Sequence, residues 1–310
     1  MANEYTYRAD HIGTLIMPGH LSDAHKQYAR GELALNLLRE VESKAIKSAV
    51  DMQRTAGLSV MTDGGFRRIG SGAPKLEGST LAKDEAASLR SMSRRPIKVA
   101  VPAARPAIGE PLDRALDRAA IVKQEIDALI AAGVDYVQLD APGYAALFQG
   151  SNNGAPQTID ALLQLDVVAL SGINRPGHVR IAVHFVRPDH TVVQPSADRH
   201  GAVERLFQGL LADRFILPMD GKDHDFELLR LVPKGKLVVL GLLSAANSAL
   251  EDVDDLMARI DRAAKLIDGN DLALSPATGF VASAAVSESD QRRKFELIAE
   301  VTTRWWGFAM

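Results

Sequence analysis

The run Ile181-Ala-Val-His-Phe-Val-Arg187 ends an apolar segment on an imidazole and a guanidinium. An unpaired imidazole inside a buried strand is costly, so His184 needs either a partner or a task. Other short apolar runs end in the same way, at Thr14, Asp63, Asp140, Asp220, Ser244 with Asn247, and Thr278. His184 beside the carboxylates Asp140, Asp63 or Asp220 is a set suited to general acid–base chemistry. Arg67 and Arg187 would hold an anionic or phenolate end of a substrate. The same residue types have plainer uses. A histidine can be satisfied within a core, and Asp63 before Gly64-Gly65 or Asp220 before Gly221 fits a turn.

These ends need a scaffold that gathers them. Apolar runs predict strands over 12–17, 58–63, 97–102, 136–140, 181–187, 214–220, 237–243 and 272–276. Helical spacing alternates with them over about 32–56, 112–132, 158–170, 202–211, 225–231, 249–267 and 287–306, with Gly57 closing the first. Residues 70–95, rich in Gly, Ser and Lys, read as a loop with a short helix and a candidate lid. Eight strands alternating with helices predict an α/β fold, a single (β/α)8 TIM barrel forming one catalytic domain over residues 1–310. The near-continuous apolar strands suit parallel strands covered on both faces. A doubly wound open sheet is the competing architecture, but no GxGxxG or GxxxxGK[ST] follows any strand. In such barrels the chemistry gathers at the C-terminal strand ends, where the polar residues lie.

Composition narrows the classes. Hydrophobic residues make up 46% of the 310 and charged residues 24%, with 36 basic and 39 acidic well mixed, for a formal net charge of -3. That balance argues against a nucleic-acid or anionic-membrane partner and leaves a small-molecule substrate. No apolar run reaches the ~18 residues that span a bilayer, and the first residues carry no signal pattern, so the expected setting is cytoplasmic. The chain has no cysteine, which excludes disulfides, thiolate metal ligands and a cysteine nucleophile. Its eight histidines form no HExxH pair, and Trp305-Trp306 at the end of the last helix is a candidate homodimer contact.

Six segments, taken in order, resemble a known family: Tyr7-Arg-Ala-Asp-His-Ile-Gly-Thr14, Thr62-Asp-Gly-Gly-Phe-Arg-Arg68, Val137-Gln-Leu-Asp-Ala-Pro142, Val183-His-Phe-Val-Arg187, Leu240-Gly-Leu-Leu-Ser244 and Leu274-Ser-Pro-Ala-Thr-Gly-Phe280. They are similar to the short single-barrel relatives of cobalamin-independent methionine synthase, a superfamily shared with uroporphyrinogen decarboxylase. The resemblance covers nearly the whole chain. It implies a zinc ion held by a His-x-Cys pair, a glutamate and a second cysteine, which activates a thiol to accept a methyl group. Here the histidine is His184, but the cysteine positions are Val186 and Thr278. The glutamate falls near Pro218 or Met219, with Asp220 the nearest carboxylate. Gly65, Ala141 and Ala246 stand where the family carries acidic, acidic and lysine residues.

Zinc that activates a thiol is best served by soft ligands in a four-coordinate site. His184 with Asp220 could hold a divalent ion weakly but not rebuild that centre, so the expectation is no metal and no cofactor. What remains is acid–base: His184, Asp140, Asp63 and Asp220, with His11, Thr14, Arg67, Arg187, Val186, Met219 and Thr278 lining the substrate pocket. The drier lining suits a substrate with an aromatic or otherwise apolar body. The leading expectation is therefore a metal-independent lyase that cleaves a C–C or C–O bond, for example with loss of formaldehyde or CO2. The alternative is methyl transfer from a methylfolate or methoxy donor to an acceptor other than a zinc-bound thiol. A non-catalytic binding barrel is the third reading.

Overall fold

The computed structural model describes residues 6–69, 81–106, 110–144, 147, 156–186, 199–219, 223–281 and 285–307. Six parallel strands pair in chain order: β1 (Lys98–Pro102), β2 (Tyr136–Asp140), β3 (Arg180–His184), β4 (Arg214–Pro218), β5 (Leu237–Leu243) and β6 (Leu272–Pro276). Two short segments close the ring. Residue Ala9 bridges Leu274 of β6, with Asp10 N donating to Leu274 O and Leu274 N to Arg8 O, both 2.9 Å. Ser59 N then donates to Ala9 O at 2.9 Å, and Met61 bridges Ile97 beside β1. Eight positions thus complete the circuit expected of a TIM barrel.

The first strand is displaced from the expected 12–17 to 8–10. Gly13 has φ +109, a conformation that breaks an extended run. The apolar residues Ile12, Leu15 and Ile16 are buried because the loop itself crosses the barrel end, not because it pairs in a sheet. Its backbone groups are met one by one: Ile12 O by Gln138, Gly13 O by Thr62, Thr14 O by Phe280 N, Leu15 N by Gly64 O and Ile16 N by Gln291. The second strand ends at Gly64 and Gly65, both with positive φ. Arg68 then caps the β1 edge by donating to Ala100 O at 2.5 Å.

Ten helices are described: α1 (Gly19–Ala29), α2 (Leu35–Thr55), α3 (Phe66–Ile69), α4 (Leu81–Met92), α5 (Leu112–Ala131), α6 (Pro156–Leu170), α7 (Arg199–Gly209), α8 (Asp223–Leu229), α9 (Val253–Ala264) and α10 (Glu288–Trp306). α1 was not foreseen, and within 70–95 the described part is mainly α4; residues 70–80, on which much of the lid reading falls, lie outside the described residues. The longer helices follow the amphipathic pattern. α5 buries Ala115, Ala119, Val122, Ile126 and Leu129, spaced at alternating fours and threes. Two starts are capped by side chains: Asp252 accepts from Asp255 N ahead of α9, and Ser287 with Asp290 forms a capping box on α10. No helix of the described residues is long and apolar enough to cross a membrane.

Two apolar layers result. The outer one lies between strands and helices. The inner one fills the barrel with Tyr7, Ile12, Val60, Tyr136, Ala182, Ile216, Leu237, Val239 and Ala273. Charges share that interior: Lys98 pairs with Asp10 at 2.8 Å with both side chains fully buried, and the Arg214 guanidinium lies over the rings of Tyr7 and Tyr136. At the end of α10, Trp305 Nε1 donates to Asp261 and Trp306 Nε1 to Gly269 O, each at 2.8 Å. Both indoles are engaged within their own barrel, which gives no support to an interface built on them.

Candidate active site at the barrel mouth

Side chains alternate along a strand, so Tyr136, Gln138 and Asp140 point into the barrel together. Parallel pairing sets Asp140 opposite His184 and Gln138 opposite Ala182. The last inward residues of β2 and β3 therefore meet at the C-terminal end. His184 Nδ1 lies 2.9 Å from Asp140 Oδ1, with the imidazole almost wholly buried and the carboxylate about one-third exposed (34%). A carboxylate oxygen that faces Nδ1 accepts from it, and the tautomer this contact assigns makes Nε2 the acceptor of the neutral ring. Nε2 is buried and has no hydrogen-bond partner among the described residues. A buried polar atom left so is uncommon and marks a place for a ligand or its proton.

The Asp140 carboxylate is itself held. Gln138 Nε2 donates to Asp140 Oδ1 at 2.7 Å and to Ile12 O at 3.0 Å. The loop of residues 12–16 reaches this pair through Ile12 O. Thr14 and Thr278 are both half-buried, and Gly279 lies against Thr14, where a Cβ would sit 2.7 Å from Thr14 Cβ. Val186, two residues beyond His184, is also half-buried.

Other expected residues sit elsewhere. Asp63 accepts from Gly65 N at 2.9 Å and from Arg68 at 3.3 Å, so it holds its own turn. Arg67 turns to helix α2, where Nε meets Glu42 at 3.2 Å and Nη2 meets Ser43 Oγ at 3.1 Å. His11 is not at the mouth: its ring packs on Phe295 of α10, 5.3 Å between centroids, with Nε2 donating to Val60 O. Burial, aided by Lys98, pushes that imidazole down to about 4, so it is neutral. Met219 joins the outer apolar layer, because Pro218, opposite Gly241, takes the inward position. Arg187 and Asp220 lie outside the described residues.

Three residues escaped the sequence reading. Gln138 was legible as the inward neighbour of Asp140, two positions away. Arg68, not Arg67, is the arginine of the barrel edge, a choice no spacing rule makes. Glu85 of α4 is buried with Oε1 unpartnered, and burial with Asp63 nearby pushes its carboxyl up to about 7 against Arg68, Arg67 and Arg39. The donor set does not fit a thiol-activating zinc centre. Val186 and Thr278 bring no thiolate, His184 has one free nitrogen, and no group of three His, Asp or Glu among the described residues is placed to hold a metal ion.

No protein-family model matches the chain. Two relatives from Bacillus subtilis, the uncharacterized proteins YxjH and YxjG, are 26% and 25% identical, each over 97% of this chain and 95% of the relative. Among solved structures, a Listeria monocytogenes protein provisionally assigned as a vitamin-B12-independent methionine synthase superposes with a TM-score of 0.80 at 23% identity, covering 97% of this chain and 98% of that one. A B12-independent methionine synthase from Shewanella sp. W3-18-1, in complex with selenomethionine, gives 0.68 at 21%, covering 88% and 91%. At these identities the likeness carries the fold alone: a (β/α)8 barrel, as the alternation of strands and helices predicted.

Proposed function

We propose that this protein is an enzyme that transfers a methyl group to an acceptor other than a zinc-bound thiol, with His184 as general base and Asp140 as its orienting partner. The observation that carries the reading is the buried, unpartnered Nε2 of His184 beside an Nδ1 that contacts Asp140. In the step, Nε2 takes the proton from an acceptor X–H as X attacks the methyl carbon of a donor CH3–Y. The X–C bond forms, the C–Y bond breaks with its electron pair on Y, and the imidazolium returns the proton to Y. The methionine synthase names of the similar structures favour this reading over the lyase.

The lyase reading rests on the same nitrogen and on the missing thiolates. There Nε2 takes a proton from a substrate hydroxymethyl group, the C–C bond breaks to release formaldehyde, and the imidazolium protonates the resulting carbanion. Half-buried Val186 with inward Pro218 and Ile12 suits an apolar, aromatic body in either case.

One experiment separates them. The protein is incubated with 13C-methyl donors, methylfolate and methoxy-aromatics, in the presence and absence of hydroxyl, amine and thiol acceptors. Label appearing on an acceptor, and no turnover without one, is expected; formaldehyde released from a 13C-hydroxymethyl aromatic offered without an acceptor replaces methyl transfer by the lyase. His184→Asn keeps a donor toward Asp140 and removes Nε2, so turnover should fall about 10²–10⁴-fold. Full activity in that variant overturns both readings.

A further inference from the structure

The amide of Gln138 has a fixed orientation. It is fully buried, and its nitrogen faces two acceptors, Ile12 O and Asp140 Oδ1. A flipped amide would set its oxygen against both, so Nε2 is assigned by the network. Its own Oε1 has no partner among the described residues. Burying an amide with one end unmet is unfavourable for a residue that only fills space, and an apolar side chain of that size would fill the barrel better. The benefit of this amide therefore lies at its nitrogen.

That nitrogen and His184 Nδ1 share one acceptor, Asp140 Oδ1. The carboxylate is partly open to solvent, where a free carboxylate turns to water. Tied through Gln138 to Ile12 O, it cannot turn without breaking the link to the loop of residues 12–16. We propose that Gln138 is a positioning residue: it locks the Asp140 carboxylate so that His184 stays protonated on Nδ1 and keeps its Nε2 as an acceptor. This rests on the reading of His184 as the base. It adds that the base is held in its working tautomer by a relay from Ile12 through Gln138 and Asp140.

The test needs no substrate. Ring 15N shifts of His184 in the whole protein, at a pH where the ring is neutral and assigned with His184→Asn, report which nitrogen carries the proton. The wild type should show a protonated Nδ1 and an unprotonated Nε2. In Gln138→Leu the ratio of the Nδ1–H to the Nε2–H form should fall roughly tenfold, as expected from loss of one hydrogen bond to a charged group. An unchanged ratio in a folded variant overturns the proposal. If Gln138→Leu does not fold, Gln138→Met keeps the length and the flexibility of the side chain and lacks both N–H donors. It should show the same fall, and an unchanged ratio overturns the proposal equally. A wild type without the Nδ1–H form would instead refute the His184–Asp140 dyad, so the two failures appear in different samples.

Discussion

The buried Lys98–Asp10 pair joins the first strand segment to β1, and its removal can be worked through in advance. The pair spans 2.8 Å, Nζ also donates to His11 O at 2.6 Å, and Asp10 accepts from Tyr136 OH at 2.9 Å and His11 N at 2.7 Å. At an effective dielectric of ~20 the charges attract by about 6 kcal/mol. Desolvation costs several kcal/mol for each ion, so the intact pair adds little net stability. Removing one partner is different, because it strands the other charge inside the barrel. Lys98→Met and Asp10→Asn should each cost about 3–5 kcal/mol. The double variant strands no charge. It leaves His11 O without its donor and an amide N–H of Asn at position 10 to be met by the Tyr136 hydroxyl, about 1–3 kcal/mol, and should cost no more than either single change. Urea unfolding followed by Trp305–Trp306 fluorescence, with all four proteins at one pH, measures the cycle. A double variant whose cost equals the sum of the singles would refute the argument, since it would mean the two charges do not feel each other.

Asp166 of α6 accepts from Tyr144 OH at 2.7 Å, and burial pushes its carboxyl up to about 7, with the Tyr144 hydrogen bond opposing. The folded state therefore holds a proton that the unfolded chain releases near pH 4. Its stabilising contribution is full below that pH and lost as pH rises to about 7, on the order of 4 kcal/mol in total. Asp166→Asn should gain on the wild type in urea midpoint between pH 5 and pH 8; an equal difference at both pH values would contradict this. At the mouth, a Cβ on Gly241 would lie 2.8 Å from Leu217 O and 2.9 Å from Ala277 Cα, both backbone atoms. Gly241→Ala should cost about 1–3 kcal/mol by thermal or urea melting, and a neutral result would show that β4 and β6 can part there.

Much of this protein was written in its residue order. Hydrophobic periodicity predicted the alternation of strands and helices, and six strands, 98–102 through 272–276, lie within or close to the predicted runs. The local signals were strong because apolar parallel strands and amphipathic helices each carry their own period. Asp140 and His184 were legible as polar ends of apolar runs. Their meeting was not: it needs β2 and β3 to be neighbours in a register that sets 140 opposite 184. Ile12, Leu15 and Ile16 misled because apolar content records burial, while strand pairing depends on a backbone that Gly13 turns aside. Arg67 and Arg68 are adjacent, identical in type and opposite in direction, and His11 follows Asp10 yet faces the helices. Sequence alone determined which groups were available and on which elements they stood. The tertiary structure decided which of them share a site, because direction and register are set by barrel closure, a property of all eight strands together and of no segment by itself.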